Sequence, residues 1–440
     1  MNAAIGHVGT VGRHSGHGAP PLAGGGAAAL TTIDQILSSA SNALMLFVLG
    51  QVSSVDQFAK IGILVAIVST FLGFNRGGLG TPVLLVSNMD RHSILAESGY
   101  AMSWAVLTSV VAAAPALLVT GAVVGEWTIA LAYALAVPFA LIQDVLRMAC
   151  IALGRPAVGV LSDGFWVAWM AALFVANLLS TKVSPLWAVG YWGIGAVIAV
   201  AIPLAATGVT FRSRRLVGWW LTYWRARVRF GGVWAANQLG VALVLVIATA
   251  LVGSTAAAGL RGAWALFGPI GMLVGALPLV FVPHARRAAS SAGDQWRLLG
   301  KTSFVMSGLT LIATGVLVLT PPTIGAAILG SNWQPATDLV PYIGCESAML
   351  CWVVSVFSYL QARGLSAILA RVKAIQLGLQ LGACAIVGAI FTRPTAIGWG
   401  LAGSAFITAL YGIAIVRRTQ VRDKGAMPRL STAVRLEKVG

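Results

Sequence analysis

The chain has 440 residues, of which 58% are hydrophobic and only 9% are charged, and its mean hydropathy is +0.87. Soluble domains carry about a quarter charged residues, so this composition excludes a water-soluble globular protein. The net charge of +17 does not indicate nucleic acid as a partner, because most basic residues lie in short segments between long apolar runs. That distribution is typical of membrane topology and predicts contact with anionic lipids.

Twelve apolar runs are long enough to cross a hydrocarbon core of ~30 Å as helices. They predict an all-α polytopic membrane protein with spans at residues 31–51, 58–86, 95–123, 127–153, 156–180, 184–208, 232–254, 256–283, 300–320, 337–362, 365–391 and 396–416. The second run is too long for one straight crossing. It contains four glycines and Pro82 between residues 73 and 82, which predicts a bend or a break.

Basic residues predict the orientation of these spans. If the N-terminus lies in the cytoplasm, 24 of the 29 Lys and Arg residues fall at inner ends. Four fall near outer ends, namely Lys60, Lys182, Arg261 and Arg393, and Arg76 lies within a span. This asymmetry predicts that both termini are cytoplasmic.

The longest connection between spans divides them into six plus six. The predicted organisation is a disordered cytoplasmic tail at 1–28, a six-helix bundle at 29–208, a basic amphipathic cytoplasmic linker at 209–231, a second six-helix bundle at 232–417 and a basic cytoplasmic tail at 418–440. Tryptophans alternate with arginines in the linker, which suits a helix in the headgroup region. Two halves of even span number predict a central cavity between them.

Ionisable residues within spans are costly and therefore informative. Arg76 follows Asn75 and precedes helix-breaking glycines, which favours a cationic contact for an anionic ligand, with Asn75 as a second candidate binding residue. Snorkelling of Arg76 or its pairing with an internal carboxylate are the alternatives. Asp34 suits the positive start of the first helix, or a role in gating or proton coupling. Asp144 and Arg147 are three residues apart and can pair along one helix face.

Further basic residues gather toward the inner half of the predicted spans. Arg147, Arg371 and Lys373 suit a cavity that loads a phosphate-bearing ligand from inside, although anchoring to the inner leaflet predicts the same pattern. Glu346 lies about two turns from the outer end of its span. It is a candidate for a titrating, coupling carboxylate, with hydrogen bonding to a neighbour as the alternative.

Enzyme motifs are absent from the sequence. It contains no P-loop, nucleophile elbow, HExxH or CxxC pattern, and its four cysteines lie in apolar runs without metal-ligand spacing. We therefore expect neither enzymatic activity, nor a cofactor, nor a bound metal.

Several short segments resemble polysaccharide flippases of the Wzx type, which belong to the multidrug/oligosaccharidyl-lipid/polysaccharide (MOP) flippase superfamily. They are residues 33–42 (IDQILSSASN), Phe58, Leu146-Arg147, the turn Ala152-Leu153-Gly154-Arg155-Pro156, and Asp163-Gly164-Phe165-Trp166. The likeness extends over nearly the whole chain in helix layout. Other MOP families share that layout.

The resemblance implies a V-shaped, MATE-like pair of six-helix bundles in a bacterial plasma membrane. Such a protein flips a polyprenyl-diphosphate-linked oligosaccharide from the inner to the outer leaflet for cell-surface polysaccharide synthesis. Family members carry cationic residues for the diphosphate, and Arg76 is the position that matches, with Arg147 and Arg371 behind it. A glycan polymerase or glycosyltransferases are implied as possible partners. This chain departs from the family in having few charges in the predicted lumen.

Three other functions are compatible with the sequence. A cation-coupled multidrug exporter of the same superfamily needs a titrating carboxylate deep in a bundle. A major-facilitator transporter also has six plus six helices, but only Asp90-Arg91 represents its loop motif here. A non-transporting membrane scaffold for glycan synthesis requires a central groove that is packed shut.

Overall fold

The structure is a computed structural model that describes residues 25–86, 90–118, 121, 125, 127–179, 183–287 and 291–436. Within these ranges the chain is helical with short connections and contains no strand. Most of the predicted tail at 1–28 lies outside the described residues. Its last four residues already belong to the first helix, which begins at Gly25.

The first half contains six long helices, the second of them extended by a π-helical turn and a short helix. Their bounds are α1 Gly25–Val52, α2 Val55–Asn75, the π turn Arg76–Gly80, α3 Thr81–Leu85, α4 Arg91–Leu117, α5 Trp127–Ala152, α6 Pro156–Leu178 and α7 Pro185–Thr207. The central connection forms α8, Leu216–Thr222.

The second half repeats this layout with one addition on its outer side. Its elements are α9 Trp224–Leu251, α10 Ser254–Leu266, α11 Gly268–Arg287, α12 Ala292–Leu319, α13 Pro322–Leu329, a 3-10 turn Gly330–Asn332, α14 Trp333–Thr337, α15 Val340–Ala362, α16 Ser366–Phe391 and α17 Pro394–Leu436. Helix α17 continues through most of the predicted tail at 418–440 instead of ending at the membrane.

Eleven described helices are long and apolar enough to cross a membrane, and the pair α10–α11, bent by 58°, can supply a twelfth crossing. The predicted all-α polytopic fold with about twelve spans is therefore confirmed. The basic residues assign one end of each spanning helix to the cytoplasm. We call this the inner end of the helix, and the opposite end the outer end.

The expected interruption of the second span is a π-helical turn rather than a break. The backbone N–H of Thr81 donates to the carbonyl of Arg76, five residues earlier, so the helix gains one residue in a turn and continues into α3. Glycine is required here because a Cβ at Gly77 would collide with the carbonyl of Phe230 on α9. The turn therefore lets the two halves approach backbone to backbone.

The predicted basic linker is docked against the first half. Glu97 on α4 accepts hydrogen bonds from Trp219 Nε1 at 2.6 Å and from Arg227 Nη2 at 2.8 Å. The Arg227 guanidinium lies 3.6 Å from the centre of the Trp219 ring, a cation–π contact. Arg227 belongs to α9, so the last three of the linker's six arginines extend the seventh span inward as one continuous helix.

On the outer side, the segment α13–α14 joins the two halves. The buried Asn332 donates through Nδ2 to the carbonyls of Gly50 (2.8 Å) and Ser53 (3.0 Å) at the end of α1. These two carbonyls belong to the last turn of a helix, where intrahelical partners are missing. The second half thus caps the outer end of α1.

Candidate functional site

A cavity of about 430 Å³ lies between the two halves. Helices α1, α2, α5, α6 and α7 line it from the first half, and α9, α10 and α11 line it from the second. Its wall carries many amide and hydroxyl side chains: Gln35, Ser38, Ser39, Asn42, Ser69, Gln143, Asn237 and Gln238. A polar cavity at the interface of two repeats is the usual position of a transporter's binding site.

Arg76 lies on the cavity wall, at the first position of the π turn. Its guanidinium is bound to Asp144 on α5, with 2.6 Å between Nη2 and Oδ1 and 3.2 Å between Nε and Oδ1. Arg76 Nη1 makes no hydrogen bond to a described residue, and the side chain is 19% exposed. Both interpretations of this residue therefore hold in part: it faces the cavity, and an internal carboxylate neutralises it.

Arg147 does not line the cavity. It is the centre of a buried cluster, with ion pairs to Asp34 (3.4 Å), Asp144 (3.1 Å) and Asp163 (3.4 Å). The expected pairing of Asp144 with Arg147 is present. Because its guanidinium is surrounded by carboxylates and 1% exposed, Arg147 holds α1, α5 and α6 together and is not placed to meet a ligand.

The buried cluster contains more carboxylates than guanidinium groups. Asp34, Asp144 and Asp163 share Arg147 and Arg76, so the five groups carry one excess carboxylate. Asp34 Oδ1 has no hydrogen-bond partner among the described residues. The Cβ of an alanine at Gly159 would lie 2.6 Å from that oxygen, so α6 passes this carboxylate closely.

Three other predicted residues also lie away from the cavity wall. Asn75 is fully buried, and its Oδ1 accepts a hydrogen bond from Thr108 on α4 at 2.9 Å. Lys373 on α16 donates to Asn237 Oδ1 at 2.7 Å, so it touches the cavity only through that side chain. Arg371, two residues earlier, lies in a separate groove between α16 and α17. The structure therefore does not bring the predicted basic residues of the inner half to one site.

Glu346 is buried on α15 and accepts a hydrogen bond from Trp264 Nε1 at 3.1 Å. Trp264 lines the cavity from α10. The second alternative for Glu346, hydrogen bonding to a neighbour, is therefore observed, and the contact fixes a cavity-lining ring.

Arg261, which the sequence places near an outer end, lies on the cavity wall. Its aliphatic stem packs where Gly62 of α2 leaves room, since a Cβ at Gly62 would lie 2.9 Å from Arg261 Cγ. Arg261 forms no hydrogen bond or ion pair with any residue that the structure describes, and its Nε is buried without a partner. Arg261 lies two turns from the start of α10. An arginine at this depth in an apolar run is the feature of the sequence that indicates a site residue.

Aromatic residues of α5, α6 and α7 form part of the cavity wall. Tyr133 and Trp192 stack with ring centres 5.5 Å apart, and Trp166 Nε1 donates to the Trp192 carbonyl. Trp192 Nε1 is buried without a partner in the described chain. Among the described residues, no group of three or more His, Cys, Asp or Glu side chains is arranged to hold a metal ion.

No protein-family model and no curated protein matches this sequence, but the fold is similar to solved transporters. A multidrug resistance MATE family transporter of the MOP superfamily, in an inward-facing conformation, aligns with a TM-score of 0.65 at 12% identity, covering 89% of this chain and 96% of that one. An outward-facing structure from the same family aligns with a TM-score of 0.61 at 13% identity, covering 90% and 96%.

A third similar structure is that of a MOP superfamily transporter from Pyrococcus furiosus, for which a binding pocket of reverse polarity is described. It aligns with a TM-score of 0.57 at 13% identity, and the alignment covers 90% of this chain and 95% of that one. The chain is therefore a multi-pass helical membrane protein whose fold is similar to that of the MATE family transporters. At these identities the likeness concerns the fold alone.

Proposed function

We propose that this protein is a flippase that moves a polyprenyl-diphosphate-linked oligosaccharide from the inner to the outer leaflet of a bacterial plasma membrane by alternating access. The observation that carries the proposal is Arg261, a cavity-lining guanidinium without a carboxylate partner in the described chain. An unpaired arginine inside a membrane protein is costly unless a ligand meets it. Arginine also binds phosphate oxygens in a bidentate manner.

The other cavity residues suit the remaining parts of such a ligand. Arg76 keeps Nη1 free beside its ion pair with Asp144. It lies fourteen residues beyond Gly62, the neighbour of Arg261, which is ~21 Å along the helix axis, so it would contact the phosphates at a different stage of transport from Arg261. Amide and hydroxyl side chains on both halves suit sugar hydroxyls, and Trp234 and Trp264 offer apolar rings. The cavity volume of about 430 Å³ lies within the usual range of ligand sites, about 300–1,000 Å³. The polyprenyl tail would stay in lipid.

The proposal is tested by flipping of a fluorescent polyprenyl-diphosphate glycan in proteoliposomes. Arg261→Met keeps the apolar stem against Gly62 and removes only the guanidinium, and it leaves no described carboxylate unpaired. We expect its flipping rate to fall at least about tenfold, which is the effect of losing one charge-assisted hydrogen bond. Arg393→Met is the matched control, because Arg393 is exposed at the outer start of α17 and does not line the cavity. Normal flipping by Arg261→Met would exclude this site.

A cation-coupled multidrug exporter is the second candidate. The excess carboxylate of the cluster Asp34–Asp144–Asp163 favours it, because such a group can exchange a proton or bind a cation beside the cavity. The same proteoliposomes distinguish the two functions: gradient-driven export of cationic dyes without glycan-lipid flipping would favour the exporter. A polar cavity speaks against the non-transporting scaffold, which needs a groove that is packed shut.

A further inference from the structure

A second groove, separate from the central cavity, lies between α16 and α17 near their inner ends. It has a volume of about 690 Å³. No residue of α16 or α17 lines the central cavity, so this groove is on a different side of the second half. Its lining residues are Ile368, Arg371, Tyr411, Ile415, Arg417, Arg418, Thr419 and Val421.

Three arginines dominate the charge of this groove. Arg371 comes from α16, and Arg417 and Arg418 come from α17. All three are exposed, and none makes an ion pair or hydrogen bond with a residue whose side chain the structure describes, which on α17 means residues up to 421. No carboxylate is among the lining residues. Three like charges held together without a counter-ion among the described side chains favour an anion between them.

The rest of the groove is apolar and leads toward the membrane interior. Tyr411 and Ile415 lie on α17 on the membrane side of the arginines. Farther along the helix, Phe406, Ile407 and Leu410 are all more than half exposed, as expected for side chains that face lipid. The groove therefore places a cationic rim at headgroup depth and an apolar channel at acyl-chain depth.

We infer that this groove binds an anionic glycerophospholipid, with its phosphate between Arg371, Arg417 and Arg418 and an acyl chain along Tyr411 and Ile415. The planar guanidinium groups match phosphate oxygens, and the apolar residues match the chain. Arg371 thus belongs to a lipid site on the outside of the second half. This lipid site is independent of what the central cavity transports.

The test counts lipids on the intact protein by native mass spectrometry, with phosphatidylglycerol and phosphatidylcholine as probes. We expect the wild type to retain one phosphatidylglycerol about tenfold more tightly than phosphatidylcholine. Arg371→Gln/Arg417→Gln/Arg418→Gln should lose that preference. The control Arg214→Gln/Arg225→Gln/Arg229→Gln removes the same charge from the linker and should keep it.

Two outcomes overturn the lipid site. In the first, the Arg371/Arg417/Arg418 variant keeps the preference for phosphatidylglycerol. In the second, this variant and the linker control lose the preference equally, which indicates general attraction between charges. Ile415→Trp fills the groove while leaving all three arginines and should also release the lipid, so it decides the matter if the triple variant does not fold. Displacement of phosphatidylglycerol by a lower concentration of polyprenyl diphosphate would assign the groove to that lipid instead and overturn the proposal.

Discussion

Arg76 and Asp144 join the π turn of the second span to α5, with 2.6 Å between Nη2 and Oδ1 at the cavity wall. The pair links two elements that are far apart in the chain but adjacent in the first half. Asp144 also binds Arg147, so Arg76 connects the buried charge cluster to the cavity wall.

A double-mutant cycle on this pair should show strong coupling. Arg76→Met and Asp144→Asn should each lower the melting temperature of the purified protein, because each leaves one buried or half-buried charge without its partner. The double variant should lose less than the sum, with a coupling free energy of about 1–3 kcal/mol. Thermal unfolding in detergent measures it. Additive effects would show that the pair contributes nothing beyond its separate members.

Asp34→Asn and Arg147→Met should have very unequal effects on stability. The first removes the excess carboxylate and leaves Arg147 with Asp144 and Asp163, so the free energy of unfolding should change by less than about 1 kcal/mol. The second leaves Asp34 and Asp163 without a cation, and breaking a buried pair costs about 3–5 kcal/mol. The measurement is the yield and melting temperature of monodisperse protein.

Arg147→Met/Asp163→Asn provides the control for that comparison, since removing one orphaned carboxylate should recover part of the stability. If Asp34 couples transport to protons, Asp34→Asn should also abolish the dependence of transport on a pH gradient while the protein remains folded. Severe destabilisation by Asp34→Asn would instead show a purely structural carboxylate.

Asn332 should control access to the cavity from the outer side. Asn332→Ala removes two buried hydrogen bonds to the end of α1, each worth about 0.5–1.5 kcal/mol, and should shift the population toward an outward-open state about fivefold or more. The readout is labelling of Leu46→Cys, a cavity position, by an impermeant thiol reagent in a variant without the four native cysteines.

Ser331→Ala is the matched control for this experiment. Ser331 is the neighbour of Asn332, and its hydroxyl lies 3.5 Å from the Ser53 carbonyl, at the limit of a hydrogen bond. Equal labelling of the Asn332 and Ser331 variants would show that the outer cap does not restrict opening.

Glu346 can be tested as a positioning residue for Trp264. Glu346→Gln keeps an acceptor for Trp264 Nε1 and should transport at close to the wild-type rate, whereas Glu346→Leu leaves the indole donor unpaired and should slow transport several-fold. Initial rates with and without a proton gradient separate the two possible roles. Loss of gradient dependence in Glu346→Gln would show that the carboxyl group itself titrates and would contradict a positioning role alone.

The all-helical fold and its span number follow from local properties of the chain. Apolar length sets how many crossings fit, and the glycines around Arg76 indicated the interruption in the second span. The span number and the interruption can both be predicted without knowing the neighbouring helices, because a membrane helix satisfies its backbone hydrogen bonds within itself. The sequence does not predict the form of this interruption, a π turn instead of a break, because it does not show that Gly77 lies against Phe230 on α9.

The packing of the helices decides which charged residues form ion pairs. Spacing along one helix predicted the contact between Asp144 and Arg147, but the partners Asp34 and Asp163 come from other helices. Arg261 and Arg371 are similar in sequence terms, each near the end of an apolar run, yet one faces the central cavity and the other a groove toward lipid. The rotation of each helix about its axis separates them, and that rotation is set by the surfaces of neighbouring helices, which no single stretch of sequence contains.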